Sequence, residues 1–296
     1  MNLALILIAF MTAAGLKAPA GLITSQQLPA AKVVQAESSA PVPIMQYQSQ
    51  PYVWAKSVYV VDAATGTVLY QKDADTPRPI ASLTKMMTIL TILKDHDPEE
   101  RVTIPQLAGY KPDDALAGLV PGDSLTVKDL IAASLIPSDN DAADTLAIYD
   151  SGTKEKFYGK MNTIAKEWGL RNATFASASG LQDVGNAASA RDLATIARLG
   201  LHNKLFAELT ATKTMKITSG QGHIYTLNTT NDLLDGVKVF GVKTGFTPAA
   251  GQCLVTLSKV NDHNIITVVL GSQDRFGETA RILDWVTNTY SWHSTK

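Results

Sequence analysis

Ser82 and Lys85 stand three residues apart at the head of an apolar stretch that includes Leu83, Met86, Met87, Ile89, Leu90, Ile92 and Leu93. Spaced this way at a helix start, the hydroxyl and the amine lie one turn apart on neighbouring positions. A serine hydroxyl becomes a useful nucleophile only when a base takes its proton. A lysine can be that base if burial or a nearby positive charge lowers its pKa. The apolar helix supplies the burial, and Lys243 is a candidate for the charge. The bland alternative, a helix lysine reaching out to solvent, fits poorly where so few neighbours are polar. Two more short elements follow: Ser138-Asp-Asn140, after the helix stop Ile136-Pro137, and Lys243-Thr-Gly245, at the end of a β-rich run.

Each element alone is weak, since Ser-x-x-Lys arises often by chance. In this order, and in these local contexts, the three form the set of the penicillin-recognising serine hydrolases. From about Trp54 to Tyr290 the chain resembles the low-molecular-mass penicillin-binding D-alanyl-D-alanine carboxypeptidases. Further resemblance lies in Val120-Pro-Gly-Asp, Ser189-Ala-Arg-Asp192, Asn228-Thr-Thr-Asn-Asp-Leu-Leu234 and Gly241-Val-Lys-Thr-Gly-Phe-Thr247. The resemblance implies Ser82 as nucleophile, Lys85 as its base and Ser138 as the proton relay to the leaving amine. It implies Asn140 as a hydrogen-bonding partner of the substrate backbone, and Lys243 and Thr244 as the clamp on a terminal carboxylate. Gly245 would leave room for a peptide paired along the strand edge, and the N–H groups of Ser82 and Phe246 would form the oxyanion hole. Gly often stands between the serine and asparagine of the second motif; Asp139 departs from that and echoes β-lactamases. The implied substrate is a peptidoglycan stem peptide ending in D-Ala-D-Ala, with β-lactams as covalent inhibitors and no cofactor.

Two alternatives share these residues. A class A β-lactamase also needs a glutamate that activates the deacylating water. Glu167-Trp-Gly-Leu170 partly mimics its motif, but Arg171 replaces the expected asparagine, and Glu167 falls off the apolar face of its helix. A non-catalytic wall-binding protein of the same fold is disfavoured by intact Ser82 and Lys85. Gly122-Asp-Ser-Leu125 opens like a lipase motif, yet none of the five histidines follows an aspartate at the required spacing; Ser124 is read as part of a turn. The histidines show no metal-ligand spacing, so no metal is expected. Cys253, the single cysteine, sits in a strand-like run and reads as a small buried hydrophobe.

The elements that must position these groups are legible in outline. Ser57–Asp62 and Thr67–Tyr70 read as strands joined by the turn Ala63-Ala-Thr-Gly66. Helices are expected over 82–94, from Thr126 with Asp129 closing a capping box, and from Lys154 to Trp168 before Gly169. The last of these carries Phe157, Met161, Ile164, Ala165 and Trp168 on one face. Strands return around Val237–Thr244, Cys253–Val260 and Ile265–Leu270, with Asn261–Asn264 as a hairpin turn. A final helix over 276–290 would bury Phe276, Ala280, Leu283 and Tyr290. Strands at both ends with helices between predict a single α+β domain, β-lactamase/transpeptidase-like. Its antiparallel sheet would combine N- and C-terminal segments around an inserted helical subdomain.

The chain has 296 residues, 45% hydrophobic, with 26 basic and 27 acidic side chains. That balance gives no electrostatic reason to expect nucleic acid. Leu3–Ala14 is apolar and precedes Ala18-Pro-Ala20, which fits a secretory leader; reading residues 1–23 as an uncleaved anchor is the second choice. Either places the rest outside the cytoplasm, on the wall side of a bacterial membrane. Residues 24–53 read as a flexible spacer and 54–296 as the catalytic domain. The chain ends just past the final helix, so membrane attachment is expected only through the N-terminal segment.

Overall fold

The computed structural model describes residues 40–43, 49–107, 117–181, 185–236 and 238–293; the apolar N-terminal run lies outside them. A central sheet is built from β1 (Ser57–Asp62), β2 (Val68–Lys72), β3 (Val239–Thr247), β4 (Gly251–Val260) and β5 (His263–Ser272). Its order is β3-β4-β5-β1-β2, and every pairing is antiparallel. The C-terminal meander thus receives the N-terminal hairpin beside β5, with Ile265 opposite Asp62 and Leu270 opposite Ser57. Both faces are covered, which explains why β1 is buried along its whole length rather than alternating. The β1–β2 turn is held by Asp62 Oδ1, which accepts from the N–H groups of Ala64 and Thr65. The β4–β5 turn is tighter than the sequence reading: only Asn261 and Asp262 lie outside the strands, both at positive φ, and Val260 already pairs with His263. Asn and Asp tolerate that backbone region better than most residues.

Helices α1 (Thr84–Asp95), α2 (Val127–Leu135), α3 (Asn140–Ser151), α4 (Lys154–Glu167), α5 (Ala190–Leu201) and α6 (Lys204–Thr210) precede β3, and α7 (Arg275–Thr289) follows β5. Helix α1 lies at the centre of the larger core, with Met86, Met87, Ile89 and Ile92 fully buried. The Thr126 capping box forms with both of its hydrogen bonds, and α2 ends one residue before Ile136. Phe157, Met161, Ile164 and Ala165 are buried on α4, and Gly169 follows it at φ 70°.

On the other face of the sheet, α7 packs Ile282, Leu283 and Val286 against Val58, Val60, Leu69 and Val269. Here the expected face is corrected. Ala280 is exposed and Phe276 half-buried, because the helix is set by its Asp274 N-cap and turns Thr279, Ile282, Leu283 and Val286 inward. Tyr290 lies beyond the helix, in a strand Tyr290–His293 that pairs with Ala40–Pro43. That last strand falls within the stretch read as spacer. Buried Glu278 fixes the chain where it enters the fold, accepting from the backbone N–H groups of Trp54 and Ala55.

Candidate active site

Ser82 sits in a 3₁₀ turn, Ala81–Leu83, that runs directly into α1. The turn is forced: Ala81 is held at φ 47°, and Gly180 passes so close that a Cβ there would lie 2.0 Å from Ala81 O. Lys85 is fully buried one turn later. Its Nζ lies 2.9 Å from Ser82 Oγ, 2.7 Å from Asn140 Oδ1 and 2.7 Å from the carbonyl oxygen of Ser179. The carbonyl can only accept, and an amide oxygen likewise. A neutral amine therefore spends its two hydrogens on these two oxygens and directs its lone pair at Ser82. Burial lowers the Lys85 pKa to about 7, against the opposing pull of the Asp139 and Asp144 carboxylates. An amine with that pKa beside a serine hydroxyl has the protonation behaviour a general base needs near neutral pH.

The second motif comes in at the start of α3. Asp139 caps that helix, accepting from Ala142 N–H, and its other oxygen takes the N–H of Ala117. The departure from glycine thus has a structural use, tying the incoming loop to the helix that carries Asn140. Burial pushes the Asp139 carboxyl up to about 7, with those two backbone hydrogen bonds working the other way. Ser138 adopts φ 69°, and its buried hydroxyl has no hydrogen-bond partner. An orphaned buried hydroxyl is costly unless something arrives to meet it.

The third motif lies on β3, one of the two edge strands of the sheet, with Lys243, Thr244 and Gly245 facing Val255, Leu254 and Cys253. Lys243 is also buried, with its Nζ donating to Thr244 O at 3.1 Å. Burial first, then the charges of Lys85 and Arg275, hold its pKa well below the ordinary lysine value. Thr244 Oγ1 meets Thr230 Oγ1 at 2.5 Å. Gly245 touches the nucleophile's turn: a Cβ would lie 3.1 Å from Ser82 N and from Ile80 O. Phe246 projects into solvent, 62% exposed.

Two contributors escaped the sequence reading. Ser179 acts through its backbone carbonyl, which leaves no trace in residue type. Arg275, at the start of α7, donates from Nη1 to Gly245 O at 3.0 Å and stacks over Phe276. A lone arginine 30 residues past Gly245 carries no motif signal.

The decoys fall elsewhere. Glu167 ends α4 half-exposed and paired with Lys94 at 3.3 Å, a solvated surface glutamate. Ser124 lies in a short strand, Ser124–Thr126, rather than a turn. Its neighbour Asp123, fully buried, binds His223 Nδ1 at 2.8 Å and the N–H of Gln221, tying the Thr214–Asn228 hairpin to that strand. Cys253 is buried on β4, and burial raises its thiol to about 11. Among the described residues no group of three His, Cys, Asp or Glu side chains is placed to hold a metal ion.

This sheet, with a half-buried serine beside a buried lysine next to its β3 edge, is the transpeptidase/β-lactamase fold. The crystal structure of the Streptomyces K15 DD-transpeptidase superposes with a TM-score of 0.74 at 31% identity, covering 81% of this chain and 99% of that one. The chain belongs to the D-alanyl-D-alanine carboxypeptidase family of serine peptidases, whose model matches residues 44–274. A D-alanyl-D-alanine carboxypeptidase from Streptomyces sp. (strain K15) is 35% identical over 275 residues, covering 86% of this chain and 92% of the relative. The D-alanyl-D-alanine carboxypeptidase DacF of Bacillus subtilis is 32% identical over 247 residues; the match covers 81% of this chain and 64% of DacF.

Proposed function

We propose that the protein removes the terminal D-alanine from peptidoglycan stem peptides ending in D-Ala-D-Ala, through an acyl-enzyme on Ser82. The observation that carries this reading is the buried Lys85 amine, whose Nζ lies within hydrogen-bonding distance of Ser82 Oγ, Asn140 Oδ1 and Ser179 O. In the first step Lys85 takes the Ser82 proton as Oγ attacks the penultimate residue's carbonyl. The oxyanion that forms is met by the N–H groups of Ser82 and Phe246. Ser138, whose hydroxyl lacks a partner, relays that proton from Lys85 to the departing amine as the C–N bond breaks, which leaves Lys85 neutral again. Lys243 and Thr244 hold the free carboxylate, Gly245 admits the peptide along the β3 edge, and Asn140 bonds the substrate backbone. Water then attacks the ester, Lys85 accepts its proton and returns it to Ser82 Oγ as the ester C–O bond breaks, and Ser82 is restored.

Benzylpenicillin meets the same serine and leaves a penicilloyl ester whose leaving group stays tethered. With Glu167 engaged at the surface by Lys94, it does not supply the additional base a β-lactamase uses, and the tethered leaving group keeps water from the ester, so the adduct persists. The work is assigned to the wall side of a bacterial membrane, with residues 1–23 as leader or anchor, 54–296 as catalytic domain, and 24–53 as a spacer whose Ala40–Pro43 strand docks on that domain. Intact-protein mass spectrometry after benzylpenicillin should show one adduct lasting minutes or longer, mapping to Ser82 and absent from Ser82→Ala. A pentapeptide ending in D-Ala-D-Ala should release D-alanine catalytically. An adduct on Ser82→Ala, or rapid penicillin turnover lost in Glu167→Ala, would overturn the reading.

A further inference from the structure

One acceptor beside Lys85 is a main-chain oxygen, and its aim depends on what holds the peptide that carries it. The Ser179 carbonyl and the Gly180 N–H belong to one peptide unit, and in a trans peptide they point in opposite directions. On one side the oxygen lies 2.7 Å from Lys85 Nζ; on the other the Gly180 N–H donates to Ser177 Oγ at 2.9 Å. Whatever grips that N–H therefore sets the tilt of the carbonyl. Ser177 is itself gripped. Asn186 Nδ2 donates to its Oγ at 2.5 Å, and Asn186 Oδ1 accepts from the N–H groups of Ala176 and Ser177 at 2.9 and 3.2 Å. Both lone pairs of the Ser177 hydroxyl are thus occupied. Ser177, Ser179 and Asn186 are all buried, where such bonds are stronger than in water.

A separate contact docks the same segment on α1: Thr88 Oγ1 donates to Ala178 O at 2.7 Å. That bond holds the neighbouring peptide and leaves the 179–180 plane to Ser177. We infer that Ser177, held by Asn186, is a positioning residue for the proposed reaction: by gripping the Gly180 N–H it turns the Ser179 carbonyl onto Lys85 and so fixes the amine against Ser82. The inference rests on the proposed role of Lys85 as the base of Ser82, and its test keeps the two apart.

The test follows the rate of benzylpenicillin acylation across the pH range in which Lys85 loses its proton. Ser177→Ala keeps the Thr88 bond and the two backbone bonds to Asn186 Oδ1 but frees the Gly180 N–H. The amine then loses part of a hydrogen bond that favours its charged form. The acid limb of the acylation profile should therefore move to lower pH by about half a unit to one unit, and the plateau should fall about tenfold as the amine loses its aim. The charged groups facing Lys85, namely Asp139 and Asp144 at α3 and Lys243 on β3, are unchanged, so a moved limb reports the carbonyl. Ser177→Thr, which keeps the hydroxyl, should restore the wild-type limb. The position of the limb does not depend on how much folded enzyme is present, so a low yield still reports. Should Ser177→Ala not fold, Ser177→Cys, close to serine in size but a weak acceptor, should move the limb the same way. A limb unmoved in Ser177→Ala or its Ser177→Cys substitute, or moved equally in Ser177→Thr, overturns the inference; a wild-type adduct on Ser82 then leaves the proposed function standing. No adduct on the wild type overturns the proposed function itself.

Discussion

Replacing Lys85 by methionine tests the central claim, that the buried amine loses its proton near pH 7 rather than near 10.5. In the unfolded chain this lysine titrates near 10.5, and in the native fold near 7. The native state thus binds fewer protons across that window, so stability rises with pH. The cost of neutralising or burying the ammonium is fully present below pH 7 and gone above 10.5. Between pH 7 and pH 10 the change attributable to this amine is about 3 kcal/mol, from about 1.4 kcal/mol for each pKa unit. Methionine keeps the length and apolar stem of the side chain but has no proton to lose. It also leaves Asn140 Oδ1 and Ser179 O without their donor, a loss equal at both pH values that cancels in the comparison. Urea unfolding of both proteins at pH 7 and pH 10 should show the wild type gaining on Lys85→Met by about 3 kcal/mol. Differences that stay parallel within about 1 kcal/mol would mean the amine is charged in the native state, and the assignment of Lys85 as base would fall with it.

Two glycines beside the nucleophile should behave unequally. Gly180→Ala drives a Cβ into the Ala81 backbone at φ 78° and should leave little folded protein, whereas Gly245→Ala needs the Ser82 turn to give by a few tenths of an ångström. For the latter, penicillin acylation should fall about tenfold or more with only a modest drop in melting temperature, since small displacements of reacting groups are costly; unchanged acylation would show that the strand does not set the position of the turn. Cys253, buried and with its thiol raised to about 11, should resist iodoacetamide at pH 8 until urea unfolds the chain; fast labelling of the native protein would contradict the packing of β4.

The constellation of side chains was more legible than the backbone that surrounds it. Ser82, Lys85 and Asn140 were readable because side-chain type and order carried the signal, and the fold brings them within hydrogen-bonding distance across 55 residues of sequence between Lys85 and Asn140. Local rules also served where they were self-contained: the Thr126–Asp129 capping box needs nothing beyond its own four residues. They failed where the deciding contact was distant. The inward face of α7 follows from an N-cap at Asp274 and a sheet to pack on, and its apolar residues alone fit more than one face. The third partner of Lys85 is a main-chain oxygen delivered by Ser179, which any residue type could have supplied. The positive φ of Ser138 likewise has no compositional mark.

The sheet's order has a consequence for the chain in time. The hairpin Ser57–Lys72 leaves the ribosome early, yet the edge of β1 must wait for Ile265–Leu270, about two hundred residues later, before it is paired. Such distant pairing is slow, since the whole intervening stretch must be looped before any contact rewards closure. Until then the first hairpin presents an apolar, unpaired strand edge, which is a template for aggregation. Synthesis that stops before β5 would yield a fragment with an open β1 and no means of closing it. Completion of this fold is therefore an event of the finished chain, and folding helpers that shield strand edges would act on it over that whole interval.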